Sequence, residues 1–166
     1  MRHLPFLALA TLLLCPHARA DDETATRLKE LDAYWSEVSR AVAAGDFAAY
    51  SATCHKEGVL VSGKSKTSHA LTEALERWEP GFQDTKDGKI KASVTFRFSQ
   101  RFGNHNTAHE TGMFLYSTVD AEGLTKRAYI HFEALLVKRG AWKIIMEYQK
   151  SEGTEAEWDA LAPTSE

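Results

Sequence analysis

An α+β fold is expected from this sequence: three N-terminal helices packed into the concave face of a curved antiparallel sheet. Two observations predict it. The hydrophobic period switches from 3.6 to 2 close to residue 90, so a helical half precedes a strand half. The strand half is a run of long alternating segments separated by short turn signals, the pattern of an antiparallel meander.

The elements follow in order. From Thr24 to Ala44, Leu28, Leu31, Trp35, Val38 and Val42 recur at three- and four-residue steps, one stripe of an amphipathic helix that Gly45 ends. Asp46 is placed to cap a second, shorter helix whose Phe47, Tyr50 and Cys54 share a face. Gly58 stops it, and Val59-Leu60-Val61 reads as a short strand. Ser65 to Trp78 reads as a third helix with Leu71, Leu75 and Trp78 inward, terminated by Pro80-Gly81. Ala92, Val94, Phe96 and Phe98 then alternate with Ser93, Thr95, Arg97 and Ser99. Turns at Gly103–Asn106, Asp120–Gly123 and Arg139-Gly140 separate strands over Thr107–Val119, Lys126–Lys138 and Trp142–Lys150. A closing helix over Glu152–Leu161 carries Trp158.

Residues 1–20 read as a signal peptide: Arg2 and His3 make a positive start, Leu4 to Leu14 an apolar stretch, and Ala18-Arg19-Ala20 an A-x-A end. The apolar stretch is shorter than the roughly 20 residues a membrane span needs. Cleavage after Ala20 and a periplasmic or secreted location are therefore expected, with residues 21–166 as one domain. Losing Arg2 and Arg19 takes the formal charge from −3 to −5, which argues against a nucleic-acid binder. Cys54 is then the sole cysteine, so no internal disulfide is expected.

With 43% hydrophobic and 26% charged residues, the composition excludes collagen-like and broadly disordered chains. There is no Walker loop, dinucleotide glycine fingerprint or G-x-S-x-G elbow, and no cofactor is expected. His105 and His109 flank a turn without a completing ligand set, so no metal is expected. His55 follows Cys54 at a helix end, and sequence neighbours do not share a helical face, which leaves a Cys–His nucleophile unsupported.

If Arg139-Gly140 is a two-residue turn, Val137 lies opposite Trp142, Leu135 opposite Ile144, Glu133 opposite Met146 and His131 opposite Tyr148. Apolar residues then occupy both faces of the sheet, and a second subunit is the expected cover for the face the helices leave open. The face of Glu110 depends on whether the loop between Val119 and Lys126 is even or odd.

The order and spacing of several segments resemble the nuclear transport factor 2-like superfamily, in its SnoaL-like and ketosteroid-isomerase-like bacterial branch. They are Ala44-Gly45-Asp46-Phe47, Glu57-Gly58-Val59-Leu60-Val61, Glu110-Thr111-Gly112 and the hairpin from Leu135 through Arg139-Gly140 to Ile144. The resemblance implies a cone closed around an apolar pocket, commonly paired as a dimer. The fold so implied is a cone-shaped α+β barrel, and His131, Glu133 and Tyr148 stand where the family often carries arginine, threonine and histidine, a departure at all three positions.

The pocket residues expected on these grounds are Trp35, Tyr50, Phe114, Met146 and Trp142 for apolar area, with His131, Glu133 and Tyr148 for orientation. The expected ligand is a small, largely apolar molecule carrying a polar group. A catalytic reading of the same pocket makes Glu133 or His131 a general base and Tyr148 the donor to a developing oxyanion. A third reading makes the domain an interaction or assembly module.

Overall fold

The computed structural model describes residues 17–161, so most of the N-terminal export pattern lies outside the described residues. The first helix, α1, spans His17–Ala44 and so begins ahead of the expected cleavage point. Its stripe is as read: Leu31 is fully buried, and Trp35, Val38 and Val42 are buried beside Tyr34 and Ala41. Gly45 ends it at φ +63°, a left-handed conformation that costs glycine least. A Cβ there would also lie 2.5 Å from the backbone nitrogen of Lys86, so two helix ends meet at this glycine.

The second helix is shorter than its pattern suggests. It covers Phe47–Ala52 (α2), capped by the Asp46 carboxylate, which accepts from the Ala49 amide at 3.1 Å. Cys54–Ser62 is instead the strand β1, parallel to the last strand of the sheet. Tertiary pairing overrides local pattern here: the Ile144 amide donates to the Thr53 carbonyl at 3.0 Å and opens the ladder. Thr67–Ala70 (β2) then pairs with β1 as an edge strand, which delays the third helix to Leu71–Lys86 (α3). Pro80 lies inside α3 rather than ending it. It forfeits one helical hydrogen bond, and Trp78 and Phe82 on either side pack on Tyr50 with ring centroids 6.1 and 4.8 Å away.

The four long strands are Ile90–Gly103 (β3), Thr107–Asp120 (β4), Thr125–Arg139 (β5) and Ala141–Glu152 (β6), followed by the short helix Glu155–Ala160 (α4). The sheet order is β2-β1-β6-β5-β4-β3, with only the β1–β6 pair parallel. Helices cover the concave face of this curved, unclosed sheet, where Phe132 and Leu136 are fully buried. On the opposite face Met113 is also buried, under the chain at Gly153, where an added Cβ would lie 2.5 Å from its Cε.

The register of the last hairpin corrects the expectation of a two-residue turn. Gly140, at φ +88°, turns the chain alone, so Arg139 lies opposite Ala141 and Lys138 opposite Trp142. A bulge at Ile145 follows: Leu136 pairs with Ile144, but Leu135 pairs with Met146. Beyond the bulge, Ala134 faces Glu147, Glu133 faces Tyr148 and Phe132 faces Gln149. Since cross-strand partners share a face, Trp142 and Ile144 join the concave face with Leu136, and so do Glu147 and Gln149.

Two polar clusters fasten α1 across the sheet. The Trp35 indole N–H donates to Glu110 Oε2 at 2.5 Å, and Arg101 bonds both Glu110 Oε1 and Asp32. Glu30 accepts from Lys138 at 2.7 Å and from the Trp142 indole at 2.9 Å. Glu110 is fully buried, so its removal leaves the buried Trp35 indole N–H without its acceptor, takes one of two carboxylates from the part-buried Arg101 and opens a cavity. Glu110→Ala should therefore lower unfolding stability by about 3 kcal/mol or more in urea titrations, against less than about 0.5 kcal/mol for Glu37→Ala in the exposed Arg40 pair. Equal small losses for both would refute the anchoring role.

Candidate functional site

The helices do not fill the concave face. A cavity of about 470 Å³ remains between them and the sheet. α1 contributes Tyr34, Trp35, Val38 and Val42 to its wall, α2 contributes Tyr50, and α3 contributes Trp78 and Phe82. Phe96, Phe114, Ile130 and Phe132 rise from β3, β4 and β5. These side chains hold one another in place. Trp35 lies 4.4 Å from Phe96 and edge-on to Phe132 at 5.8 Å, and Phe132 meets Phe114 at 5.6 Å. Arg77 and Tyr116, both exposed, mark the open side.

Polar groups on this wall are few. Glu147 and Gln149 project from β6, and the Gln149 amide donates to Glu147 Oε1 at 2.7 Å. Burial pushes the Glu147 carboxyl above the ordinary range, and the Gln149 hydrogen bond only partly offsets this. Burial likewise pushes the Tyr50 phenol well up, with the nearby Glu147 charge acting the same way. The Tyr34 hydroxyl donates to the Thr53 carbonyl at 3.3 Å, and the Thr53 hydroxyl to the Tyr50 carbonyl at 2.6 Å. The Cys54 thiol is pushed up to about 12, chiefly by burial, so at neutral pH it is a thiol and a poor nucleophile.

The residues singled out in the sequence divide between two sides of the sheet. Trp35, Tyr50 and Phe114 line the cavity. Trp142 shares the concave face but lies at its far end, bonded to Glu30. His131, Glu133, Met146 and Tyr148 do fall on one face, as the alternation implied, but it is the outer one, away from Trp142 and Ile144. Glu133 accepts there from Lys150 at 2.7 Å and pairs with His109 at 3.1 Å. The Lys150 hydrogen bond, followed by that of His109, holds its carboxyl below the ordinary range despite some desolvation. His131 faces Glu157 of α4 at 3.4 Å and borders a second, more open depression of about 430 Å³. Glu110 takes the concave face, opposite Ala134, and is consumed by Trp35 and Arg101.

Glu147, Gln149 and Phe82 are among the cavity residues that sequence reading passed over. Phe82 lay beyond the proline taken as a helix end. Glu147 and Gln149 point inward only because of the bulge, and its one sequence trace is the run Ile144-Ile145-Met146, which breaks strict alternation.

No protein-family model matches the chain, and no curated protein matches it in sequence. Solved structures match it at low identity. A nuclear transport factor 2-like superfamily protein from Salmonella enterica serovar Typhimurium covers 80% of this chain and 95% of its own at 13% identity, with a TM-score of 0.57. A ketosteroid isomerase-like protein from Erwinia carotovora atroseptica covers 74% and 93% at 16% identity, with a TM-score of 0.55. A protein from Catenulispora acidiphila, solved in complex with S-DNPA, covers 74% and 91% at 16% identity, with a TM-score of 0.58. The chain thus has the nuclear transport factor 2-like fold.

The raised Glu147 carboxyl has a consequence for stability. A carboxyl held protonated in the native state binds its proton there more tightly than in the unfolded chain, so its contribution weakens as pH rises from the ordinary carboxylate range through the folded value. Glu147→Gln removes this loss. Its stability relative to wild type should therefore grow between about pH 4 and pH 8 in urea titrations. A difference that is constant across that range would mean the carboxyl is hydrated.

Proposed function

We propose that this protein is an exported small-molecule-binding domain whose ligand, largely apolar with one polar group, occupies the concave-face cavity. The observation that carries this reading is the cavity itself: about 470 Å³ of space walled by aromatic side chains, with Glu147 and Gln149 as a localised polar pair. Natural cores are packed to near-crystalline density, so an unfilled space of this size is a cost that folding alone does not require. Its volume falls within the range of small-molecule sites, roughly 300–1,000 Å³. The Catenulispora neighbour, which holds a small molecule on the same fold, supports the reading by analogy.

Export rests on the N-terminal pattern that ends at Ala18-Arg19-Ala20. A homodimer is part of the proposal because the outer face presents Val59, Val61, Met146 and Tyr148 around the exposed Leu135, a surface that a second copy would cover. The catalytic reading built on Glu133, His131 and Tyr148 lacks the cavity's support, since these side chains face away from it.

Titration with the neutral fluorophore N-phenyl-1-naphthylamine tests the proposal. Saturable enhancement at one site per chain is expected, and Ala128→Trp, which places an indole on the cavity wall, should weaken binding roughly tenfold or more with unchanged circular dichroism. Absence of saturable binding, or binding indifferent to Ala128→Trp, would count against it.

A further inference from the structure

Among the described residues, several partly or fully buried carboxylates come with a cation, whereas Glu147, the carboxylate on the cavity wall, does not. Glu110, fully buried, is paired with Arg101. Asp32 shares that guanidinium, Glu133 has Lys150, and Glu30 has Lys138. Glu147 accepts a hydrogen bond from the neutral Gln149 amide, and among the described residues it makes no ion pair. Among the described residues, the one cationic side chain on the cavity wall is Arg77, which is exposed on α3 and makes no ion pair with Glu147. Glu147 Oε2 has no hydrogen-bond partner among the described residues.

The groups around Glu147 favour a positive guest. The Tyr34 and Thr53 hydroxyl protons are already spent on backbone carbonyls, so neither is committed to Glu147. Tyr34, Trp35, Tyr50, Trp78 and Phe82 supply aromatic rings around the same space, and ring faces attract cations most strongly where water is excluded. A carboxylate in such surroundings is costly alone and strongly favourable once an opposite charge sits beside it.

We propose that the cavity takes an organic cation, a protonated or quaternary amine on a hydrophobic body, with Glu147 as its counter-ion and the aromatic wall as the rest of the cage. This rests on the reading of the cavity as a ligand site and narrows the ligand to one chemical class. The polar group expected of the ligand is then an ammonium, and its partner is Glu147 rather than the outer-face Glu133. The upward displacement of the Glu147 carboxyl agrees with a site whose cation is not part of the chain.

Two probes of nearly the same shape separate charge from apolar fit: phenyltrimethylammonium and its neutral counterpart tert-butylbenzene. Each is titrated into wild type and Glu147→Gln at about pH 8, where ordinary carboxylates are ionised, with the tryptophan emission of cavity residues Trp35 and Trp78 as readout. Wild type should bind the cation at least about tenfold more tightly than the hydrocarbon. In Glu147→Gln this preference should vanish while tert-butylbenzene affinity stays within about twofold, which also reports that the variant is folded. Equal or tighter wild-type binding of tert-butylbenzene overturns the cation assignment and leaves the cavity reading standing. A cation preference that survives in Glu147→Gln overturns the assignment to Glu147. If neither probe nor N-phenyl-1-naphthylamine binds, the cavity reading itself fails.

Discussion

The hydrogen bond from the Trp35 indole to Glu110, backed by Arg101 and Asp32, is the constraint on which the rest of the structure depends. A long helix lying on a curved sheet would gain most by sinking into it until no space remained. Here the indole packs at a tilt against Phe96 while its N–H is tied to a buried carboxylate of β4, so the helix is fixed in height as well as position. The Glu30 cluster with Lys138 and Trp142 ties the same helix to β5 and β6. Both clusters are directional, so they favour one placement of the helix over others of similar apolar contact. The arrangement they define leaves Tyr34, Val38 and Val42 as one wall of a space that the sheet does not fill.

The bulge at Ile145 gives that space its chemistry. With it, β6 turns Glu147 and Gln149 inward and Met146 and Tyr148 outward. The two faces of the sheet consequently differ in electrostatic character. On the outer face Glu133 is matched by Lys150 and His109, and its proton is held weakly. On the concave face Glu147 has no cation beside it, and partial desolvation raises its carboxyl above the ordinary range. Two glutamates on adjacent strands of one sheet are thus set to opposite behaviour by which face they occupy.

Much of this fold is legible in the sequence, for a physical reason. Periods of 3.6 and 2 are imposed by the burial of one helix stripe or one sheet face, so the stripe from Leu31 to Val42 and the alternation from Ala92 to Phe98 report their elements directly. Trp35, Tyr50 and Phe114 could be placed at the cavity on the same basis. Features set by long-range pairing were not legible. Cys54 belongs to a strand because β6 offers it a parallel partner, and Thr67–Ala70 is extended because β1 offers it an antiparallel one. The face of Glu133 turned on a single residue of register at Gly140, and that of Glu147 on a single inserted residue. Alternation alone cannot detect either shift, because each segment remains internally periodic.

The ionisation of Glu147 tests the account most directly, because the apolar cavity wall, the inward bulge and the missing counter-charge all converge on that carboxyl. Side-chain carboxyl chemical shifts, assigned by carbon-13 NMR and followed through a pH titration, measure it. The account predicts that Glu147 titrates above the ordinary carboxylate range and Glu133 below it, and that phenyltrimethylammonium drives the Glu147 value down. A Glu147 that titrates within the ordinary range and does not respond to the cation would contradict the account.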